Sequence, residues 1–495
     1  MVLLVRDATA IYPCQRRQEA PILDGWILID GQVITAIGQG PLPPEIAGNA
    51  NVAEEISARG KVVIPGGINL HHHFWQSLTR AVPEGLSATS LSWLRTMYPL
   101  WQEIDPASVQ ASASLAAAEL LLTGATTSVD FPFFFPGGQS DLLDVEIEAV
   151  RDLGLRLHAV RGCSTVLEGS IERDLGRIPG VDRIRLTETE DEVVAACERT
   201  IADYHDGSRF SKCRIGVGPT VPLFRNPDFM QTLSHIAEVA GCERHTHLQP
   251  RPNEEEECIL LHGCRPTEWL RRIGWLGEKS CVAHCTRHTD EDIRVLAETG
   301  SGVAHCPSQN MRLGYPVGPV PEMRAAGVKV GIAVDGASSN DAGSFLGELR
   351  LSHMVHRLAG LHRDYGPDTW LTAHDALWMG TREAAAILGR DDVGRLEPGC
   401  AADLVLIDLR QIGYAGGLHD PLSTILFSGD TTIVDTTIVG GRVVVEGGRL
   451  KTASEARIID DANRESARLI ERVRTRTGLG FGSLAPEIAA ACACG

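Results

Sequence analysis

Two H-x-H triplets and two further strand-end residues could do chemistry in this chain. His71 and His73 close the run Val62-Val63-Ile64-Pro65-Gly66-Gly67-Ile68-Asn69-Leu70, and Arg244-His245-Thr246-His247-Leu248 supplies a second pair. His284 ends Ser280-Cys281-Val282-Ala283, and Asp335 ends Val330-Gly331-Ile332-Ala333-Val334. Neutral imidazoles and a carboxylate are the donors that a borderline-soft divalent ion takes. Side chains alternate along extended chain, so His71 and His73 share one side. A His-rich surface loop could account for the first triplet alone. Four apolar runs, each delivering a His or Asp at its end, form the arrangement a barrel-mouth metal site needs.

Such a site requires parallel strands that end together. Between residues 65 and 396, β-like runs alternate with amphipathic helical stretches, as in Ala111–Leu122 before Thr126–Asp130 and Glu291–Thr299 before Gly302–His305. That alternation predicts an α/β fold, a distorted (β/α)8 barrel beginning near Val62 to Pro65. Both chain ends are rich in short strands. Ile27-Leu28-Ile29 meets the turn Asp30-Gly31, and Ala402–Ile407 and Thr437–Val445 repeat the style. Residues 1–64 and 397–450 are therefore expected to form one small composite β-sandwich beside the barrel. Residues 451–495 are expected to hold a charged helix over 454–476 and a loose tail over 477–495.

Composition sets the outer limits. The 495 residues suffice for a barrel plus a smaller unit, and 46 basic against 64 acidic side chains leave a formal charge of −18. Bulk charge thus argues against nucleic acid or an anionic membrane as partner. The start, Met1 to Pro13, is broken by Arg6 and Asp7 and reads as a strand, and no long apolar run suggests a membrane span. The thirteen cysteines are odd in number and contain no CxxC pair, which fits reduced thiols in a cytoplasmic protein. A homo-oligomer is expected.

Taken together, PGGINLHHH, HTHL, VAHC and VDGASSN resemble the amidohydrolase superfamily in its cytosine-deaminase-like branch. The likeness extends over nearly the whole chain, including GCAADLVLID and VDTTIVGGRVVVEGGRL. HHHFWQSLTRAVP, LSWLRTMYPLW, LHAVRGC and GVAHCPSQNMRLG are similar to the 8-oxoguanine and isoxanthopterin deaminases and the hydroxyatrazine aminohydrolases. The resemblance implies that His71, His73, His247 and Asp335 hold one divalent ion, zinc first and iron second. Asp335 would take a proton from water, and His284 would bind the water or the developing oxyanion. His245, His72 and His305 are expected to be structural. Gln76, Arg161 and Trp93 are expected to contact a flat heterocycle, with Tyr98 as a second aromatic wall. The absence of Lys between Lys61 and Lys212 removes the usual bridging residue of a dinuclear site.

One position departs from the branch. A Glu normally follows the third His by three residues and shuttles the proton to the ring and the leaving amine. Here that position is Pro250, in His247-Leu248-Gln249-Pro250-Arg251-Pro252-Asn253-Glu254-Glu255-Glu256-Glu257. Asp335, assisted by His284, is expected to carry the proton instead, with a Glu from 254–257 as a weaker contributor and Glu254 first among those four. Three readings follow: an aminohydrolase acting on an amino-substituted purine, pterin or s-triazine; a hydrolase opening a cyclic amide or displacing a non-amine group; and a catalytically impaired homologue or scaffold.

Overall fold

The computed structural model describes residues 2–44, 46, 51–167, 169–251, 253–359, 366–428 and 433–482. Pro252 and residues 483–495 of the expected tail lie outside them. At the start, β1 (Val2–Ile11) pairs antiparallel with β2 (Ile22–Asp30), which turns through Gly31 into β3 (Val33–Gln39). Gly31 has φ 58°, a left-handed conformation that costs glycine nothing. β4 (Glu54–Ser57) and β5 (Lys61–Pro65) run parallel to β1.

The barrel follows as eight parallel strands: β6 (Gly67–Asn69), β7 (Ala125–Asp130), β8 (Arg156–Cys163), β9 (Cys213–Pro219), β10 (Glu243–Leu248), β11 (Ser280–His284), β12 (Gly302–His305) and β13 (Lys329–Ile332). Each pairs with its successor, and the Leu70 N–H donates to the Ile332 carbonyl at 3.1 Å, tying the last strand to the first. Crossover helices carry their own stop signals. Asp290–Thr299 opens on a Thr289–Asp292 capping box and closes at Gly300.

The chain then returns to the first sheet. β14 (Leu404–Asp408) pairs antiparallel with β5, and β15 (Thr436–Val439), β16 (Arg442–Glu446) and β17 (Arg449–Leu450) extend it. Strands from both chain ends thus share one nine-stranded sheet. This sheet curls on itself: the Ile34 and Ala402 N–H groups donate to the carbonyls of Cys400 and Gln32 at 2.9 and 2.8 Å. One apolar cluster, including Val5, Ile29, Ile34, Leu404 and Ile438, fills the curl. A buried ion pair fastens sheet to barrel, with Arg156 donating to both carboxylate oxygens of Asp403 at 2.6 and 3.0 Å.

The run from Val62 to Asn69 reads in sequence as one barrel strand, but it is two. Lys61–Pro65 belongs to the end sheet and only Gly67–Asn69 to the barrel. The break is at Gly66, where a Cβ would lie 2.1 Å from Thr126 Oγ1, so only glycine fits where the chain changes sheets. The C-terminal helix Glu455–Thr477 packs back on the helix Pro106–Leu122 and on the 3-10 turn Phe74–Thr79. Its Arg472 pairs with Asp105 at 2.6 Å, and Ser466 Oγ donates to the Leu78 carbonyl at 2.7 Å. No helix among the described residues is long and apolar enough to cross a membrane.

Candidate metal centre and active site

The strand ends converge as the donor chemistry requires. His73 Nε2 lies 3.2 Å from His247 Nε2 and 3.4 Å from Asp335 Oδ1, and His71 Nε2 lies 3.8 Å from the same oxygen. His284 Nε2 is 3.9 Å from Asp335 Oδ2. Two groups, His71/His73/His247 and His71/His284/Asp335, each bring their donor atoms within 4.8 Å of one another.

The far side of each imidazole is already committed. His73 Nδ1 meets the Phe131 carbonyl at 2.8 Å, His247 Nδ1 the Thr220 carbonyl at 2.6 Å, and His71 Nδ1 meets His245 Nε2 at 2.8 Å. A carbonyl only accepts, so His73 and His247 carry their proton on Nδ1 and present a lone pair at Nε2. His71 Nε2 is buried with no hydrogen-bond partner. Lone pairs aimed at one another around a carboxylate repel unless a cation sits among them, so these residues fit one divalent ion.

Burial sets the protonation states. It pushes His71, His73 and His284 well below the ordinary imidazole range, aided by their mutual repulsion, and brings His247 down to about 3. All four are neutral, the ligand form. Burial also drives Asp335 up to about 7, opposed by the Gly336 N–H that donates to Oδ1 at 2.6 Å. His284 and Asp335 sit at φ 78° and 65°, left-handed values that are costly for side-chain-bearing residues and typical of functional sites.

A cavity opens over this cluster. Trp93 and Tyr98, from the helix Ser90–Trp101, and Phe133, after β7, supply flat apolar walls. Trp93 Nε1 donates to the Ser338 carbonyl at 2.9 Å, clasping that helix to the loop after β13. Gln76 is 1% exposed and lines the cavity, its carboxamide oxygen accepting from Ser338 Oγ at 2.7 Å. Gly336 makes room for it, because a Cβ there would lie 2.0 Å from Gln76 Oε1.

Other residues fall elsewhere. Arg161 does not line the cavity. It is fully buried, paired with Glu188 and stacked 3.6 Å from the Phe135 ring centroid, so its guanidinium is consumed by structure. Glu254 is also fully buried away from the cavity. Its carboxylate accepts from the Gln249 and Arg251 N–H groups at 3.3 and 3.5 Å and braces the loop. His305 pairs with His356 at 3.1 Å, and His72 Nδ1 accepts from the His73 N–H at 2.8 Å. Pro250 does line the cavity, at the place of the missing acid.

Sequence reasoning missed Ser338, Thr220, Arg251, Gln309 and Tyr315. Thr220 follows β9 as His284 ends β11, a strand-end position without a metal-binding side chain to announce it.

The amidohydrolase family model matches residues 62–444. The 8-oxoguanine deaminase of Pseudomonas aeruginosa is 34% identical over 455 residues, covering 92% of this chain and 96% of its own. The hydroxydechloroatrazine ethylaminohydrolase of Pseudomonas sp. strain ADP is 34% identical over 451 residues, covering 89% and 90%. Among solved structures, the atrazine chlorohydrolase of Arthrobacter aurescens TC1 complexed with zinc superposes with a TM-score of 0.85 at 32% identity, covering 94% of this chain and 99% of that one. With its parallel barrel, its strand-end histidines and these relatives, the chain belongs to the amidohydrolase family.

Proposed function

We propose that this chain is a metal-dependent aminohydrolase that removes an amino group from an N-heterocycle of the purine, pterin or s-triazine kind. The observation that carries the reading is the convergence of His71, His73, His247 and Asp335 at the floor of an aromatic-walled cavity. The nitrogen-rich donor set favours zinc over iron, as does the zinc bound by the chlorohydrolase relative. The free cysteines suit a reducing, cytoplasmic setting, and a homo-oligomer is expected.

A divalent ion held there lowers the pKa of water towards neutrality. Asp335 turns Oδ1 to His71 and His73 and Oδ2 to His284. Oδ2 therefore takes the proton as water adds to the ring carbon that bears the amine. His284 holds the oxygen that becomes negative in that step. Trp93, Tyr98 and Phe133 sandwich the ring, and the Gln76 amide N–H2 donates to a ring acceptor. The leaving amine needs a proton that Pro250 cannot give, so Asp335 returns the one it took, with His284 assisting.

Pro250 in the cavity wall favours a second reading, in which the leaving group needs no proton, as its name implies for the chlorohydrolase relative. The separating experiment loads the enzyme with zinc, measures metal per chain and assays a panel of amino-heterocycles for ammonia. One ion per chain with ammonia release supports the first reading. One ion with product but no ammonia supports the second, and no bound ion overturns both. Light scattering checks the oligomeric state.

A further inference from the structure

One charged side chain in the cavity has no part in the chemistry above. Arg251 lines the wall next to Pro250 and is 6% exposed. Among the described residues, no other Lys or Arg lines the cavity, and Asp335, the candidate metal-site carboxylate, is the one acid that does. The loop that carries Arg251 is held from within: Gln249 is left-handed at φ 52°, and the buried Glu254 carboxylate takes the Gln249 and Arg251 N–H groups. Glu257 approaches Arg251 Nη2 at 3.8 Å from its more exposed position. A guanidinium has five donors in a planar fork, so one ion pair does not exhaust it.

The rest of the wall has the same bias. The Gln76 carbonyl is occupied by Ser338, which leaves its amide N–H2 as the end for a ligand. A ligand here meets hydrogen-bond donors, a fixed positive charge and flat aromatic faces.

We propose that Arg251 is a specificity-determining residue that binds a negatively charged oxygen on the substrate ring. The preferred substrate is then an amino-heterocycle that is anionic near neutral pH through an ionised oxo group. This inference rests on the heterocycle reading above. A buried guanidinium gains most from a partner of full negative charge, and its fork matches such an oxygen and the ring nitrogen beside it. Neutral alkylamino rings offer it no such partner.

The test is calorimetric binding to zinc-loaded enzyme of urate, a ring monoanion at neutral pH, and hypoxanthine, its neutral relative. Neither carries an amine, so binding is read without turnover. Wild-type enzyme should prefer urate by about tenfold or more, the range of a charge-assisted hydrogen bond. Arg251→Gln should abolish that preference while barely moving hypoxanthine, and Arg251→Lys should keep part of it, at unchanged zinc content. Equal affinity for the two rings, no urate binding, or a urate preference that survives Arg251→Gln would overturn the proposal. Its failure is distinct from failure of the aminohydrolase reading: neutral amino-heterocycles releasing ammonia equally well from wild type and Arg251→Gln would leave that reading standing.

Discussion

His71 and His245 are joined ring to ring, Nδ1 to Nε2, at 2.8 Å with their planes only 14° apart. His73 and His247 are oriented by backbone carbonyls, which no substitution removes. His71 is oriented by a side chain, and His245 is fully buried on the same face of β10 as His247. His245→Gln keeps an acceptor near the Nε2 position, whereas His245→Met removes it at similar volume. Chelator competition should show Met weakening metal binding by about 10- to 100-fold and Gln by much less. Equal affinity in both variants would reduce His245 to packing.

Asp335 and Glu254 separate the two ideas about the missing acid. Asp335→Asn, zinc-loaded, should lower kcat by about 100-fold or more, because it removes the proton acceptor. Glu254→Gln should leave kcat close to wild type, since that carboxylate faces backbone N–H groups and not the cavity. A dead Glu254→Gln with normal folding and metal content would place the shuttle there.

Gln76 and Ser338 act as a pair. Gln76→Ala should cost about 1–3 kcal/mol in kcat/KM through lost ring recognition. Ser338→Ala leaves the carboxamide free to turn, at about 0.5–1.5 kcal/mol. The double variant should cost less than the sum of the singles, as contacting residues do. Strict additivity would mean that the 2.7 Å contact does not orient the amide.

Much of the candidate site is legible in sequence because the proposed metal ligands combine a rare residue type with a fixed strand-end position. Substrate contacts lack that signature. Arg161 and Arg251 are both buried arginines near barrel strand ends, and only the fold shows that Glu188, twenty-seven residues on, claims the first. Glu254 looks available as an acid until the loop turns it onto its own N–H groups. The strand at Val62 reads as continuous because both halves are apolar, and the sheet change is carried by Gly66 alone.

Glu348 gives the stability a pH dependence. It is buried beside the metal-site loops, bonded by the Asn340 amide at 3.0 Å and the Ser308 N–H at 3.2 Å, and burial raises its carboxyl to about 7. The folded protein therefore holds a proton that the unfolded chain releases near its ordinary value of 4.5. Its contribution is fully present below that value and is lost as pH rises towards 7, at up to about 1.4 kcal/mol per pH unit. Denaturation of zinc-loaded Glu348→Gln should show a flatter pH profile in that window. A slope unchanged from wild type would assign the dependence to other groups.

The pairing of β5 with β14 joins residues separated by 404 − 65 = 339 positions at its nearest point. On a ribosome adding roughly 5–20 residues per second, the first strands wait on the order of twenty seconds or more for their neighbour. Meanwhile one edge of β5 is an open template, flanked by Val62, Val63 and Ile64. Nascent chains are therefore most exposed to misassociation before residue 404 emerges, and truncation ahead of that point leaves a barrel with an unsealed edge beneath it.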